Sequence, residues 1–165
     1  LGRGETHAGV LAVRSDLAAS FDPAESPSLA RTTRLVDQLI SEVYGQAPSL
    51  STAYLQREQP QVAVYPEGAR YGRHFDGRSG DKTGRVLTVL IYLNPWWQEA
   101  SGGHLRLHNK DKPGESVDIE PLHGRLLAFL CYERNMHEVL ESSAARAAVT
   151  FWYDDVRLLR DMEST

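Results

Sequence analysis

From Pro60 onward the chain consists of short strand-like runs that follow one another, with turn residues and no helical pattern between them. These runs span residues 61–65, 85–93, 103–108, 116–120, 124–132, 137–141 and 146–153. Strands in direct succession favour antiparallel pairing, because parallel strands need a long crossover connection that is usually a helix. The pattern therefore predicts an antiparallel sandwich or barrel and argues against a doubly wound parallel sheet.

One amphipathic helix is predicted ahead of these strands, in the stretch SPSLARTTRLVDQLISEVYG. The apolar residues that recur there at helical spacing are Leu35, Val36, Leu39, Ile40 and Val43. We expect Ser28 to cap the helix and Gly45 to end it, since glycine tolerates the left-handed conformation of a helix terminus. The helix should pack one face on the sheet, and residues 1–27 predict nothing longer than a turn or an edge strand.

Composition limits the classes of protein that the chain can belong to. Its 165 residues, 41% of them hydrophobic, predict one domain over residues 1–165 with a single core. A net charge of −4 gives no support to a nucleic-acid binder, which normally carries a basic excess. No apolar run approaches the ~20 residues that a membrane span needs. We therefore expect neither a nucleic-acid partner nor a membrane.

The single cysteine, Cys131, cannot form an internal disulfide, which favours a reducing compartment, the cytoplasm or the nucleus. Cys131 itself is predicted to be a small buried residue near the end of an apolar strand. The chain begins LGRGETHAGV, without an initiator Met or a leader, so we expect a truncated N-terminus that carries no readable targeting signal.

The segment YGRHFDG, at 71–77, places His74 and Asp76 two residues apart. In a strand, side chains at this spacing share a face, so an imidazole and a carboxylate would lie together. A metal would need a third ligand, and the other histidines are His7, His104, His108, His123 and His137. His137 stands out because it opens a strand whose hairpin partner begins with an arginine. We expect His7, His108 and His123 to be structural or at the surface, whereas His104 either stabilises the sheet or lies near the cavity.

Arg146 is that arginine, and it begins the inward face of the last strand. A buried unpaired guanidinium is costly, so the position calls for an anion. A carboxylate ligand bound by both arms of the guanidinium meets this need, and an ordinary ion pair with Glu138 or Glu141 is the alternative. Two His and one Asp with open positions form the facial triad of non-haem Fe(II) oxygenases. Zinc hydrolases also use mixed His and carboxylate ligands, but they do not by themselves require the arginine.

Two strand faces are predicted to line one barrel. The first face comprises Val86, Thr88, Leu90 and Tyr92, and the second comprises Arg146, Ala148, Thr150 and Trp152. The loop GRSGDKTG, at 77–84, follows the His-x-Asp motif and is predicted to be mobile and exposed. It is either a lid or substrate finger or simply a long hairpin loop. The Trp96-Trp97 pair is likewise either a peptide-binding ledge or a hydrophobic cover at a strand end.

Seven segments, taken in order, carry a family resemblance: YPEGARYGRHFDG, GRVLTVLIYLN, SGGHLRLH, VDIEP, GRLLAF, NMHEV and RAAVTFWYDD. From about Leu35 to Val156 the chain resembles the 2-oxoglutarate- and Fe(II)-dependent prolyl hydroxylases of the oxygen-sensing type, which include the hypoxia-inducible factor prolyl hydroxylases and their microbial relatives. The resemblance implies a mainly β fold with a supporting N-terminal helix, a double-stranded β-helix of the jelly-roll, cupin-like kind. It also implies that part of the family's N-terminal helical support is missing.

The same resemblance implies roles for individual residues. Those implied to bind the metal are His74, Asp76 and His137, which with Arg146 form the catalytic set. Those implied to bind or line the 2-oxoglutarate site are Arg146, Tyr92, Thr150, Leu90 and Tyr65, the last of them near the metal. Those implied on the substrate side are Arg85, Trp152 and Tyr71. An arginine at 146 also separates the chain from the collagen-type prolyl hydroxylases, which resemble it but carry Lys there.

The activity implied is hydroxylation of prolyl residues in a protein or peptide by a monomeric enzyme. It would use Fe(II), O2 and 2-oxoglutarate, release succinate and CO2, and take ascorbate as a candidate stimulant. Two alternatives remain: an oxygenase acting on another residue or on a small molecule, and a non-catalytic metal-binding interaction domain on the same barrel.

Overall fold

A computed structural model describes residues 3–5, 11–44, 54–77, 84–131 and 135–163, with more of them in antiparallel strands than in helices. The strands are β1 (Arg3–Glu5), β2 (Leu11–Val13), β3 (Leu17–Ser20), β4 (Leu55–Arg57), β5 (Gln61–Tyr65), β6 (Tyr71–His74), β7 (Arg85–Tyr92), β8 (Leu105–His108), β9 (Ser116–Ile119), β10 (Leu126–Leu130), β11 (His137–Val139) and β12 (Arg146–Asp155). The helices are α1 (Pro27–Tyr44) and α2 (Val156–Glu163), with short 3-10 turns at Pro23–Glu25 and Glu99–Ser101. Each of the seven predicted runs contains a strand.

The strands form two main sheets in which every pairing is antiparallel. The major sheet has the order β10-β7-β12-β5-β3, with β4 also paired to β12, and the minor sheet has the order β6-β11-β8-β9. Apart from the consecutive pair β8 and β9, neighbours in each sheet are distant in sequence, which is the connectivity of a jelly roll. The predicted fold class, mainly β in a double-stranded β-helix with a helix outside, is confirmed.

Two clusters of buried side chains hold these layers together. The first lies between the sheets and joins residues of the major sheet, such as Tyr92 and Ala148, to Leu105 and Val139 of the minor sheet. The second joins the outer face of the major sheet to α1. Val86 belongs to this second cluster, so the prediction that it shares the inner face with Leu90 and Tyr92 was wrong.

The outer cluster fixes α1 through a narrow stripe. Val36 and Ile40 are the apolar side chains of α1 that are buried, and burying two such side chains contributes about 3–6 kcal/mol. Leu35, Leu39 and Val43 are 55%, 40% and 56% exposed. The broad apolar face predicted for this helix therefore contacts the sheet along only part of its width.

The ends of α1 differ slightly from the prediction. The helix begins at Pro27, and the Ser26 carbonyl accepts the first helical hydrogen bond, from Ala30 N at 2.9 Å. Ser26 is thus the capping position, and the predicted Ser28 lies inside the first turn, because proline is favoured immediately after the cap. Gly45 lies outside the described residues, and the helix ends at Tyr44.

Several elements had no sequence prediction of their own: β1, β2, β3, β4 and α2. β3 forms the edge of the major sheet beside β5, which agrees with the turn or edge strand allowed for residues 1–27. Within the described part of the chain, no helix has the length and apolar character to cross a bilayer.

Candidate active site

The pairing of β6 with β11 creates the centre of the site. His74, the last residue of β6, lies directly opposite His137, the first residue of β11. Both imidazoles are buried between the sheets, and their ring centroids are 4.2 Å apart. Tyr71 stacks on His74 at 3.7 Å between centroids, and Phe129 meets His137 edge-on at 5.0 Å. Aromatic packing thus restricts how either imidazole can rotate.

Asp76 completes a three-residue cluster. β6 ends at His74, so Asp76 does not share a strand face with it, as the alternation argument assumed. Instead, the chain bends after the strand and turns the carboxylate toward both imidazoles, with Oδ1 3.5 Å from His74 Nε2 and Oδ2 3.8 Å from His137 Nε2. One ligand atom from each residue lies within 4.8 Å of the other two. Among the described residues, this is the one group of His, Cys, Asp and Glu that could hold a metal ion.

The backbone sets the tautomers of the two histidines. His74 Nδ1 lies 2.8 Å from the Gly72 carbonyl, and His137 Nδ1 lies 2.9 Å from the Asn135 carbonyl. A carbonyl only accepts hydrogen bonds, so each Nδ1 must carry the proton. Each Nε2 then presents a lone pair toward the centre of the cluster, as a metal ligand requires.

The ionisation states of the cluster also suit a cation. Burial alone would raise the pKa of the Asp76 carboxyl, but the imidazoles of His137 and His74 and the Thr88 hydroxyl outweigh it and hold that pKa well below its usual range. Burial lowers the pKa of His137 to about 4, against the opposing pull of the Asp76 carboxylate. At neutral pH the cluster therefore offers an anionic oxygen and a neutral imidazole, the forms that bind metals.

Arg146, at the start of β12, lies in the same cavity and is only 3% exposed. Its Nε donates to the Gly103 carbonyl at 3.1 Å, and its guanidinium carbon lies 4.7 Å from the ring centroid of Tyr65 and 5.1 Å from that of Tyr92. No carboxylate of a described residue pairs with it, so the alternative of an ion pair with Glu138 or Glu141 is not observed. A buried cation without a counter-ion is the condition that calls for an anionic ligand.

Tyr92 adds a second unused polar group. Its hydroxyl is fully buried and has no hydrogen-bond partner among the described residues. Burial raises the pKa of Tyr92, and the neighbouring Arg146 guanidinium opposes that rise. A phenol without a hydrogen-bond partner and a guanidinium without a counter-ion fit one carboxylate group, which would satisfy both.

The cavity that Arg146 and the metal cluster share lies between the two sheets. The predicted site residues that line it are His74, Asp76, His137, Arg146, Tyr65, Tyr71, Leu90, Thr150 and Trp152. Two predicted residues do not line it. Tyr92 lies beside Arg146, and Arg85 contacts the cavity only through its neighbour Trp152.

Arg85 has partners of its own. Its guanidinium carbon lies 4.1 Å from the ring centroid of Trp152, and its Nη2 donates to Glu58 Oε2 at 2.7 Å. The Arg85 side chain therefore supports Trp152, which forms part of the cavity wall. Its predicted contact with a peptide substrate stays a prediction.

The sequence reasoning missed three residues that shape the site. Arg14 lines the cavity and pairs with Asp16, Nε to Oδ1 2.6 Å, although its segment gave only a weak signal. Thr88 was placed on an inner face but given no role, and it donates to Asp76 Oδ2 at 2.7 Å. Gly103 orients Arg146 through its carbonyl. The signal for Gly103 was the Gly-Gly pair in SGGHLRLH, since two successive glycines mark a backbone that other residues adopt poorly.

The remaining predicted features lie away from the cluster. His108 is bound to Glu138 at 2.9 Å, and His123 is exposed. His104 does not line the cavity, and it meets the Trp97 ring edge-on. His7 and most of the glycine-rich loop, residues 78–83, lie outside the described residues.

The two tryptophans differ. Trp97 is half-buried, and its Nε1 donates to the Gly102 carbonyl at 2.9 Å, as expected of a cover. Trp96 is 88% exposed. A peptide-binding role for Trp96 stays a prediction.

The donor set fits Fe(II), because two imidazole nitrogens and one carboxylate leave coordination positions open. The unpaired Arg146 and Tyr92 fit the far carboxylate of a short dicarboxylate such as 2-oxoglutarate. Both fits come from the same cavity, with the metal ligands on the minor-sheet side and the anion-binding groups on the major-sheet side.

Comparison with known proteins agrees with this geometry. A family model described as the 2OG-Fe(II) oxygenase superfamily matches residues 60–154, more than half of the chain. The chain is 45% identical over 101 residues to Egl nine homolog 1 of Homo sapiens, an alignment that covers 60% of this chain and 23% of that protein. It is 43% identical over 102 residues to human prolyl hydroxylase EGLN3, covering 61% of this chain and 41% of that protein. The chain thus spans less than half the length of these curated relatives.

Solved structures extend the similarity to nearly the whole chain. A Trichoplax adhaerens prolyl hydroxylase, solved with a peptide fragment of the hypoxia-inducible factor oxygen degradation domain, matches with a TM-score of 0.79 and 35% identity, covering 95% of this chain and 71% of that one. A Pseudomonas putida prolyl-4-hydroxylase matches with a TM-score of 0.74 and 33% identity, covering 86% of this chain and 73% of that one.

Proposed function

The chain belongs to the 2OG-Fe(II) oxygenase superfamily, and from that premise we propose that it hydroxylates prolyl residues of a protein or peptide, using Fe(II), O2 and 2-oxoglutarate. The observation that carries the proposal is the combination, in one buried cavity, of the His74, Asp76 and His137 cluster with the unpaired guanidinium of Arg146. A purely structural metal site would not need a buried cation beside it.

Each of these groups has a distinct task under this proposal. His74, Asp76 and His137 hold the metal, and their hydrogen bonds keep the ligand atoms directed inward. Arg146 and Tyr92 bind the distal carboxylate of 2-oxoglutarate, with Leu90 and Thr150 forming part of the wall of its site. When bound, Fe(II) and 2-oxoglutarate supply the oxidising chemistry, in which O2 converts the 2-oxo acid to succinate and CO2 and places one oxygen atom on the substrate.

The cavity wall supplies the exclusion of water that such chemistry needs. The described lining is mostly apolar or aromatic, and Tyr65, Tyr71 and Trp152 place rings around the metal cluster and the anion-binding end. Trp152 is held in place by Arg85, which is in turn fixed by Glu58. We assign Tyr71, Trp152 and Arg85 to the substrate side on this basis.

Choice of proline as the target rests on the relatives. The human EGLN3 protein is named a prolyl hydroxylase, and the Trichoplax adhaerens enzyme was solved with a peptide. We propose the same class of substrate here, a proline-containing segment of a protein. We also propose that the protein is a monomer and that ascorbate stimulates it. A location in the cytoplasm or nucleus is proposed because the single thiol, Cys131, is free and buried.

The direct test is turnover of a panel of proline-containing peptides by the Fe(II)-loaded protein with 2-oxoglutarate in air, followed by mass spectrometry. We expect a gain of one oxygen on proline, matched by succinate, and its loss in His74→Ala and Arg146→Ala. Oxidation of another residue type would show that the target residue is not proline. A protein that binds neither the metal nor 2-oxoglutarate would contradict the proposed enzymatic activity.

A further inference from the structure

One hydrogen bond connects the metal cluster to the opposite sheet. Thr88, in the middle of β7, is almost fully buried, and its Oγ1 donates to Asp76 Oδ2 at 2.7 Å. β7 belongs to the major sheet, whereas Asp76 follows β6 of the minor sheet. The hydroxyl therefore joins the two layers at the only carboxylate of the cluster.

Cys131 stands behind this hydroxyl. Its Sγ lies 3.0 Å from Thr88 Oγ1, and its backbone N donates to the Val86 carbonyl at 3.0 Å, which anchors it beside β7. A hydroxyl has one proton, and the Asp76 carboxylate can only accept. The thiol must then be the donor to Oγ1, which makes a chain of hydrogen bonds from Cys131 through Thr88 to Asp76.

This chain matters because Asp76 lies beyond the last paired residue of β6, where sheet pairing does not fix its side chain. A free carboxylate can rotate and exchange its two oxygens. With Oδ2 occupied by Thr88, Oδ1, which lies 3.5 Å from His74 Nε2, is the oxygen left for a metal. Removing a group that orients a metal ligand in this way typically lowers the metal affinity by roughly 10- to 100-fold.

We propose that Thr88, supported by Cys131, is a positioning residue that holds the Asp76 carboxylate in the orientation that binds the metal. The inference rests on the proposed function, because it assumes that the cluster binds a metal. It assigns Thr88 a role in metal affinity, separate from its place in the core.

Two substitutions at Thr88 separate positioning from packing. Thr88→Val keeps the shape of the side chain and removes the donor, whereas Thr88→Ser keeps the donor and removes a methyl group. Thr33→Val is the matched control. Thr33 is also buried, its hydroxyl has no hydrogen-bond partner among the described residues, and it lies in α1 on the outer side of the major sheet.

The experiment is titration of the purified protein with Co(II), which does not oxidise in air as Fe(II) does, followed by calorimetry and by the visible absorption of the bound ion. We expect Thr88→Val to weaken Co(II) binding by about 10-fold and Thr88→Ser to stay within about 2-fold of wild type. Thr33→Val should bind as wild type. Thermal unfolding of each variant confirms that the protein is folded.

Cys131 is tested in the same assay. Cys131→Ala should weaken binding less than Thr88→Val, and it should have no further effect in the Thr88→Val background, since the thiol acts through the hydroxyl. Equal Co(II) affinity in wild type and Thr88→Val, or an equal loss in Thr33→Val, would overturn the inference while leaving the proposed function intact. A wild-type protein that binds no Co(II) would contradict both.

Discussion

His74 and His137 occupy paired positions in the antiparallel ladder between β6 and β11. The register of two short strands therefore sets the separation of the two imidazoles, and a slip of one residue would turn one of them to the other side of the sheet. Asp76 reaches the site from the bend after β6, and Thr88 hydrogen-bonds to it from the opposite sheet. The site thus depends on both layers of the jelly roll, and it can be tested at each contact.

Arg146→Gln should weaken 2-oxoglutarate binding by at least about 30-fold, because removing one partner of a buried charge pair costs about 2–5 kcal/mol. Metal affinity should not change, since Arg146 is not in the ligand cluster. Calorimetric titration of Mn(II) into the metal-free protein measures the metal affinity, and titration of 2-oxoglutarate into the Mn(II)-loaded protein measures the 2-oxoglutarate affinity. Arg106→Gln, which removes an exposed arginine paired with Asp118, is the control and should leave the 2-oxoglutarate affinity unchanged. An equal loss in both variants would contradict the assignment of Arg146.

Gly103→Ala should lower both stability and 2-oxoglutarate affinity. Gly103 has φ +70°, and a Cβ there would collide with Ser142 Oγ and lie 3.4 Å from Arg146 Cδ. Gly114→Ala is the matched control, since Gly114 has φ +97° but open space around it. Left-handed backbone costs an L-residue about 1–2 kcal/mol at either site, and Gly103→Ala adds the collision. Urea unfolding should rank Gly103→Ala as the less stable variant, and the reverse order would show that the contact with Ser142 is relieved without cost. Calorimetric titration measures the 2-oxoglutarate affinity, and an unchanged value would show that Gly103 does not orient Arg146.

Asp154 gives a prediction of pH dependence. Burial, together with the nearby Glu58 carboxylate, raises the pKa of Asp154 to about 6. The folded state then binds this proton more tightly than the unfolded state does, so stability is lost as the pH rises through about 6. Asp154→Asn should therefore be more stable than wild type above that pH, by about 1 kcal/mol after solvent screening.

Below pH about 4, where the carboxyl is protonated in both states, the Asp154→Asn variant and wild type should unfold alike. Thermal unfolding across this pH range measures the difference, with Asp111→Asn at an exposed loop as the control. A stability difference that does not vary with pH would contradict the assignment.

Cys131 should be inert toward thiol reagents in the folded protein. It is 1% exposed, and burial, aided by the Asp76 carboxylate, raises the pKa of its thiol far above the ordinary range. Labelling with an aromatic disulfide should be slow under native conditions and complete in urea. Ser116→Cys, at an exposed position in β9, supplies a reactive control in the same protein. Rapid native labelling of wild type would show that the hydrogen-bond chain behind Asp76 opens readily.

Much of the fold followed from local pattern. The runs after Pro60 are short, mostly apolar and bounded by turn residues, and each of them contains a strand in the structure. The start of α1 was predicted two residues too late. Proline is favoured immediately after the cap, so Pro27 makes Ser26 the capping position instead of Ser28. The exposed side of α1 could not be read from periodicity, because Leu35 and Val36 have the same apolar character and only the sheet distinguishes them.

The site was predictable where a motif carried it and not where packing created it. His74, Asp76, His137 and Arg146 stand in recognisable segments. Thr88 does not, because its hydroxyl reaches Asp76 only after the two sheets face each other. Arg14 was missed for the same reason. It lies in a segment without a strong hydrophobic pattern. An isolated β-bridge pairs the backbone of Arg14 with that of Tyr71, which places Arg14 beside the cavity.

The most direct test of the account is anaerobic titration of the Fe(II)-loaded protein with 2-oxoglutarate, recorded in the visible range. A 2-oxo acid that chelates Fe(II) gives a charge-transfer absorption, so no substrate is needed. We predict that this band forms in wild type, is absent in His74→Ala, and requires much more 2-oxoglutarate in Arg146→Gln. A wild-type protein that binds Fe(II) but forms no band, or an Arg146→Gln variant that titrates as wild type, would contradict the placement of 2-oxoglutarate between the metal cluster and Arg146.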